Sequence, residues 1–256
     1  MPAIVYNPVL DRSEGRALHL GFWRGEGLSL VEAQRALDRE VLEAAGLVPG
    51  AVVVDVGCGL GSTLWEAAQR VADLELIGIN LDEDQLRRAK ELPFPQAVRW
   101  ICADACVLPL PDASCTTMLC VEAAFHFSSR RKFLEEVVRV LRPGGRLVMT
   151  DLVPNPALRA LKGTPVGREI ERRVQAGAGP WPDFWGEEAA EILELEMLQE
   201  DDLSAATLPS WQHFLGRKPD ADVQLPGDPI ADACHQLGAL QAVGFLKVIL
   251  RVWKRR

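Results

Sequence analysis

Polar residues that follow four apolar runs are the residues of this chain best suited to chemistry. Asp55 follows a run of valines, Asn80 and Asp104 come at or just after the next two runs, and Glu122 and His126 follow a fourth. Carboxylates accept hydrogen bonds, and an amide both donates and accepts them. An imidazole titrates near neutral pH and can take a proton from a hydroxyl, amine or phenol. The set suits a polar, nucleotide-like ligand with a proton transfer beside it.

Glycines recur at every second position directly after Asp55, at 57, 59 and 61. Glycine adopts backbone angles closed to other residues and lets a ligand approach the main chain. A helix beginning at residue 62 would add unpaired N–H groups at its first turn. The dinucleotide fingerprint has its third glycine three residues after the second, whereas here it comes after two. The spacing therefore predicts a ligand-binding turn that differs from that fingerprint.

A sheet that gathers the ends of its strands at one edge would position these residues. Strands are predicted at 51–56, 74–80, 97–103, 114–121 and 146–152, with helices between them at 62–72, 82–92 and 131–141. Strict alternation of this kind predicts a parallel sheet with helices on both faces. In such sheets a ligand binds outside the carboxyl ends of the strands.

The flanking regions complete the predicted architecture. Ser29 and Glu32 form a capping box at the start of an amphipathic helix that Gly46 ends. After strand five, an irregular region rich in proline and glycine is predicted. A short strand, a helix and a last, antiparallel strand should follow it, near 192–198, 229–241 and 245–253. We expect an α/β, Rossmann-like, seven-stranded and mostly parallel sheet. It should have an N-terminal helical lid, and a cap inserted after strand five.

The composition of the chain limits which classes of partner it is expected to bind and in which cellular compartment we expect it. The 256 residues carry a formal charge of −8, which argues against a nucleic-acid partner because binding phosphates needs a basic surface. No apolar run approaches the length of a membrane span, and no secretory signal is evident. The six cysteines form no C-x-x-C pair, which favours reduced thiols and argues against a zinc site. We expect a cytoplasmic protein, a monomer or homodimer, without metal, membrane or nucleic-acid partners.

The D-x-G-x-G-x-G pattern at 55–61, together with Asn80, Asp104 and the Glu122–His126 segment, resembles class I S-adenosylmethionine-dependent methyltransferases. The nearest branch comprises small-molecule enzymes such as macrolide-sugar O-methyltransferases and sterol-like methyltransferases. The resemblance implies S-adenosylmethionine as cofactor and S-adenosylhomocysteine as product. The cofactor-binding residues that it implies are Asp55, Gly57, Gly59, Gly61, Asn80, Leu81, Gln85, Asp104, Ala105 and Val121.

The resemblance also implies individual roles. Asp104 would accept from the adenine amino group while the Ala105 N–H meets a ring nitrogen, and Asn80, where many relatives carry Asp or Glu, would bind the ribose. His126 would be the general base, with Glu122 orienting its ring or contacting the cofactor. The alternative for His126 is packing between its two phenylalanine neighbours. Aromatic and histidine residues of the lid and cap are expected at the acceptor, with ordinary packing as the alternative: Tyr6, His19, Trp23 and Trp185.

These expectations describe one methyltransferase domain over residues 1–256. Its parts would be the lid and first helix at 1–45, the cofactor-binding core at 46–152, the substrate cap at 153–215, and the last helix and strand at 216–256. The expected reaction is O-methylation of a small organic acceptor in natural-product metabolism. N- or C-methylation is the near alternative. A nicotinamide-dependent oxidoreductase and a non-catalytic cofactor-binding subunit are the remote ones.

Overall fold

The computed structural model describes residues 15–178, 194–216 and 229–256. Its seven-stranded sheet has the order β3-β2-β1-β4-β5-β7-β6. The strands are β1 (Val52–Val56), β2 (Glu75–Asn80), β3 (Val98–Cys102), β4 (Cys115–Val121), β5 (Leu141–Pro154), β6 (Leu195–Asp202) and β7 (Leu246–Arg255). The first five are parallel, and β7 runs antiparallel to both β5 and β6. The predicted mostly parallel sheet and its antiparallel last strand are confirmed.

Helices connect the strands. The α-helices are α1 (Leu30–Ala45), α2 (Ser62–Arg70), α3 (Glu83–Glu91), α4 (Arg130–Val140), α5 (Pro156–Arg159), α6 (Pro165–Ala178), α7 (Ser204–Thr207), α8 (Pro209–Gly216) and α9 (Pro229–Ala242). A short 3₁₀ helix, Ala124–His126, follows β4. Among the described residues, no helix is both long and apolar enough to cross a bilayer.

Two apolar layers hold the sheet between its helices. Val53 packs in one cluster with Leu37 of α1 and Leu64 of α2, and Val54 packs in the other with Phe133 of α4. Successive side chains of a strand point to opposite faces, so a run of consecutive valines serves both layers. β1 is accordingly apolar at every position except Asp55, and it lies inside the sheet between β2 and β4.

The capping box predicted for α1 is present. Ser29 Oγ accepts from the Glu32 N–H at 3.3 Å, and Glu32 Oε2 accepts from the Ser29 N–H at 2.8 Å. The helix ends at Gly46 in a left-handed conformation, with φ of 60°. Both ends of α1 are therefore set by the residues that the sequence indicated.

The region after β5 is more regular than predicted. Helix α6 occupies part of the stretch that the sequence indicated as irregular, and its Val174 is fully buried. Thr164 Oγ1 accepts from the Gly167 N–H at 3.0 Å, and Pro165 is the first helical residue. Proline is favourable at that position. The turn-forming residues here therefore begin a helix, which the prediction missed.

Candidate functional site

The ends of β1 to β4 meet at one edge of the sheet, and the glycine turn is fastened there. The N–H groups of Gly57 and Cys58 both donate to the Ile79 carbonyl of β2, at 2.8 and 3.1 Å, and the Gly61 N–H donates to Cys58 O at 2.8 Å. Within the described residues, the N–H groups of Gly59 and Leu60 have no hydrogen-bond partner. The turn therefore presents two adjacent backbone donors.

Close packing explains two of the three glycines. A Cβ at Gly57 would lie 2.4 Å from Ala123 Cβ, and one at Gly61 would lie 2.5 Å from the Trp100 ring. At Gly59 the nearest atom would be Leu18 Cδ1 at 3.1 Å. Neighbouring protein atoms thus require glycine at 57 and 61. The sequence indicated backbone angles closed to other residues, which all three glycines adopt with positive φ, and the approach of a ligand, but not this packing.

A pair of amides lies at the end of β2. Asn80 Nδ2 donates to Gln85 Oε1 at 2.8 Å, which brings two of the predicted cofactor-binding residues together. Asp82 caps α3 by accepting from the Gln85 N–H at 3.0 Å, so Asn80 is not the helix cap. Leu81 beside them is 43% exposed. An exposed apolar residue next to an amide pair suits the face and hydroxyls of a nucleoside.

The carboxylate after β3 is held in a local turn. Asp104 Oδ1 accepts from the Cys106 N–H at 2.8 Å, and the Asp104 carbonyl accepts from the Val107 N–H at 3.0 Å. Ala105 between them is buried. These bonds fix the backbone on both sides of Ala105. They therefore fix the direction of the Asp104 carboxylate and of the Ala105 N–H, to which the resemblance gives the adenine edge.

Glu122 follows β4 in a conformation that is rare for its residue type. Its φ is +47°, and its N–H donates to Thr150 O and Oγ1 at 3.0 and 3.1 Å. Left-handed backbone at a non-glycine residue costs roughly 1–2 kcal/mol. The strain is associated here with a carboxylate that reaches the N-terminal segment (residues 15–23), where Glu122 Oε2 accepts from the Leu20 N–H at 3.0 Å.

His126 lies at the end of the 3₁₀ helix and is partly buried. Its backbone N–H donates to Ala123 O at 2.9 Å, and its ring centroid is 4.3 Å from that of Phe125. The ring therefore packs against one aromatic neighbour while part of the residue stays accessible. Its assignment as general base stays a prediction.

A buried polar cluster joins the N-terminal segment to α1 and α2, and the sequence analysis missed it. His19 Nε2 lies 3.2 Å from Asp38 Oδ1 and 3.3 Å from Ser62 Oγ. Thr63 Oγ1 donates to the same Asp38 oxygen at 2.6 Å. Burial opposes a charge on His19, but Asp38 outweighs it and the pKa of His19 rises to about 9. One signal was available, because Gln34 and Asp38 lie four residues apart on the apolar face of α1.

The same segment is fastened to α8 at its other end. Ser210 Oγ accepts from the Gly21 N–H at 2.8 Å and from Trp23 Nε1 at 2.9 Å. The Trp23 and His213 rings stack with their centroids 4.3 Å apart. His19 and Trp23, predicted at the acceptor, thus have these protein partners, and their contact with an acceptor stays a prediction. Tyr6 and Trp185 lie outside the described residues.

Two buried carboxylates have one oxygen each without a hydrogen-bond partner among the described residues, Asp55 Oδ1 and Glu122 Oε1. Burial raises the pKa of each carboxyl to about 7. An unsatisfied buried acceptor is costly, and a positively charged donor satisfies it best. The two oxygens are therefore suited to a cationic group bound at the carboxyl edge of the sheet.

A cavity of about 380 Å³ lies beside α1, α2 and α3. Its lining includes Leu60 of the glycine turn, Ser62 at the start of α2 and Asp38 of the polar cluster. Asn80, Asp104 and Glu122 do not line it. The cavity therefore borders the glycine turn and the polar cluster without reaching the ends of β2, β3 and β4.

Comparisons with known proteins agree with this geometry. A family model described as a methyltransferase domain matches residues 54–149. The 27-O-demethylrifamycin SV methyltransferase of Amycolatopsis mediterranei is 35% identical over 214 residues, covering 79% of this chain and 75% of that protein. The erythromycin 3''-O-methyltransferase of Saccharopolyspora erythraea is 30% identical over 148 residues, 56% of this chain and 48% of that protein.

Solved structures share the fold at lower identity. The [4+2]-cyclase SpnF superposes with a TM-score of 0.75 at 24% identity, over 97% of this chain and 90% of that one. A geranyl diphosphate methyltransferase in complex with SAM gives 0.71 at 21% identity, over 93% of this chain and 98% of that one. Structural likeness at these identities concerns the architecture alone.

Proposed function

The chain belongs to the class I S-adenosylmethionine-dependent methyltransferases of the small-molecule branch, and on that premise we propose that it O-methylates a natural-product hydroxyl with His126 as general base. Its relatives include a rifamycin and an erythromycin methyltransferase. The observation that carries the proposal is the position of His126. It is partly accessible on the 3₁₀ helix that follows β4, at the edge that also holds the predicted cofactor-binding residues.

The residues of this chain fit the cofactor. The unpartnered oxygens of Asp55 and Glu122 are acceptors for the ammonium of its methionine end. The two backbone donors of the glycine turn suit its carboxylate. Asn80 would bind the ribose hydroxyls and Asp104 the adenine. When bound, S-adenosylmethionine supplies a methyl group that its sulfonium makes electrophilic.

The work left to the protein is placement of the acceptor and removal of one proton. An imidazole with a pKa near 6.5 takes a proton at neutral pH. The ring contact with Phe125 restricts the orientation of His126. The N-terminal segment, held at Leu20 by Glu122 and at the next residue, Gly21, by Ser210, would exclude water from the reacting groups.

His126→Ala tests the role directly, with His235→Ala as the matched control because His235 lies exposed on α9. The measurement is turnover with 27-O-demethylrifamycin SV and a panel of phenols and aliphatic alcohols, beside S-adenosylhomocysteine affinity by calorimetry. Loss of a general base lowers turnover roughly 10²–10⁴-fold, and cofactor affinity should stay near that of the wild type. Full turnover in His126→Ala would remove His126 from the mechanism.

A further inference from the structure

His19 is a buried histidine with an acceptor at each ring nitrogen. Its Nδ1 lies 2.8 Å from the Leu20 carbonyl oxygen, and its Nε2 lies 3.2 Å from Asp38 Oδ1. The imidazolium carries an N–H for each acceptor, whereas a neutral ring would donate to Leu20 and accept from Ser62 Oγ, 3.3 Å from Nε2. Burial lowers the pKa of His19, but Asp38 outweighs it and raises that pKa to about 9. The closer Asp38 contact and its charge therefore favour a buried cation at neutral pH.

Carboxylates from three elements interact with the charge of His19. Asp38 of α1 touches it, and Asp55 of β1 and Glu122 after β4 interact with it electrostatically. Asp151 of β5 also acts on Glu122, but Asp151 is paired with Arg130, whose Nε lies 2.7 Å from Asp151 Oδ2. Among the described residues, His19 is the one cation whose charge acts on both Asp55 and Glu122.

A backbone connection through Leu20 also links His19 to Glu122. The backbone carbonyl next to the His19 ring belongs to Leu20, and the N–H of that same residue holds Glu122 Oε2 at 3.0 Å. One oxygen of Glu122 is thereby fixed while the other stays without a partner. A change at His19 therefore reaches Glu122 both through the electric field and through the backbone of Leu20.

We propose that His19 is a positioning residue for the cofactor, whose positive charge favours the ionised forms of Asp55 and Glu122 and whose backbone neighbour orients Glu122 toward the methionine end. The inference rests on the proposed role of these two carboxylates, and it does not depend on the acceptor or on His126. It assigns the N-terminal segment a part in cofactor binding.

The pH dependence of cofactor affinity follows from these charges. Burial holds the pKa of Asp55 and Glu122 near 7 in the free protein, and a cation binds the ionised forms, so affinity rises as pH increases through about 7. The pKa of His19 is about 9, where burial is outweighed by Asp38. Above that pH the imidazolium is lost, but both carboxylates are already ionised, so losing the charge of His19 changes the affinity little there. The amino group of the ligand titrates alike in every variant, so comparison between variants removes its contribution.

The test is calorimetric titration of S-adenosylhomocysteine from pH 5.5 to pH 10 with wild type, His19→Gln and His213→Gln. His213 is the control because it fastens the same segment through Trp23 without facing the carboxylates. In His19→Gln, the rise in affinity should move up by about one pH unit, the order expected from removing a nearby opposite charge. Above pH 9, where both carboxylates are ionised with or without the His19 charge, the affinities of His19→Gln and the wild type should converge. His213→Gln should keep the midpoint of the wild type.

Two results would overturn the inference. One is a His19→Gln profile that is lowered equally at every pH, since a purely structural role predicts it. The other is a neutral His19 ring in the wild type at pH 7.5, read from imidazole nitrogen NMR shifts, which needs no variant to fold. Asp55→Asn and Glu122→Gln test the two carboxylates directly. If both variants bind S-adenosylhomocysteine like the wild type, the proposed role of the carboxylates and this inference fail together, whatever the acceptor assays give.

Discussion

Asp55→Asn should make the cofactor-free protein more stable at pH 8 while weakening its hold on the cofactor. Burial, reinforced by Asp38, raises the pKa of Asp55 from 3.8 to about 7. Between these values the folded protein keeps a proton that the unfolded chain has released. The free energy of unfolding therefore falls as pH rises from about 4 to about 7. Asparagine carries no such dependence.

The magnitude follows from the pKa values. One pKa unit corresponds to about 1.4 kcal/mol. Between pH 5 and the folded-state pKa of about 7 there are two units, so the wild type loses about 3 kcal/mol relative to the variant over that interval. For a domain of this size, the melting temperature of Asp55→Asn relative to wild type should rise by about 6–12 °C between pH 5 and pH 8.

Scanning calorimetry of the cofactor-free proteins at pH 5 and pH 8 measures this difference. Asp38→Asn is the contrasting variant, because Asp38 pairs with His19 and accepts from Thr63. Its loss should destabilise the protein at both pH values. An Asp55→Asn offset that is the same at pH 5 and pH 8 would refute the reasoning, as would a wild type that is the more stable protein at pH 8.

Three further variants test separate parts of the account. Gly61→Ala places a Cβ 2.5 Å from the Trp100 ring at a φ of +76°. Urea denaturation should therefore show a free energy of unfolding lower by about 2–4 kcal/mol. An unchanged midpoint would contradict the packing. Ser210→Ala leaves the Gly21 N–H and Trp23 Nε1 without their acceptor, and should cost about 1–3 kcal/mol and speed proteolysis near residue 23. Asp104→Asn keeps an oxygen for the Cys106 N–H and should lower S-adenosylhomocysteine affinity about tenfold with little change in melting temperature. Equal affinity would remove Asp104 from the adenine site.

The first five strands, and the polar residues at the ends of four of them, were predictable because each strand carries its own local signal. The valine run of β1, for example, is buried on both faces, so its pattern needs no knowledge of its neighbours. Asp82 and Ser29 likewise cap their helices through bonds three residues away. Resemblance to a family then supplied the roles of the strand ends, which physical patterns alone leave open.

Contacts between distant residues explain what the sequence did not reveal. The Leu20 N–H and Glu122 are 102 positions apart, and Gly21 and Ser210 are 189 apart. No local period records such pairs. Strand β6 has another cause, because from Glu196 to Asp202 it is exposed. Without a buried face to impose alternation, its bounds were predicted only approximately.

The atom that receives the methyl group tests the proposed O-methylation directly. The protein is incubated with S-adenosylmethionine carrying a deuterated methyl group and with 27-O-demethylrifamycin SV or another hydroxyl-bearing polyketide, and the product is analysed by mass spectrometry and NMR. We expect the wild type to form a labelled methyl ether. His126→Ala should form the same ether at least about 100-fold more slowly. A labelled methyl group on carbon or nitrogen, or equal rates for the two proteins, would contradict this expectation.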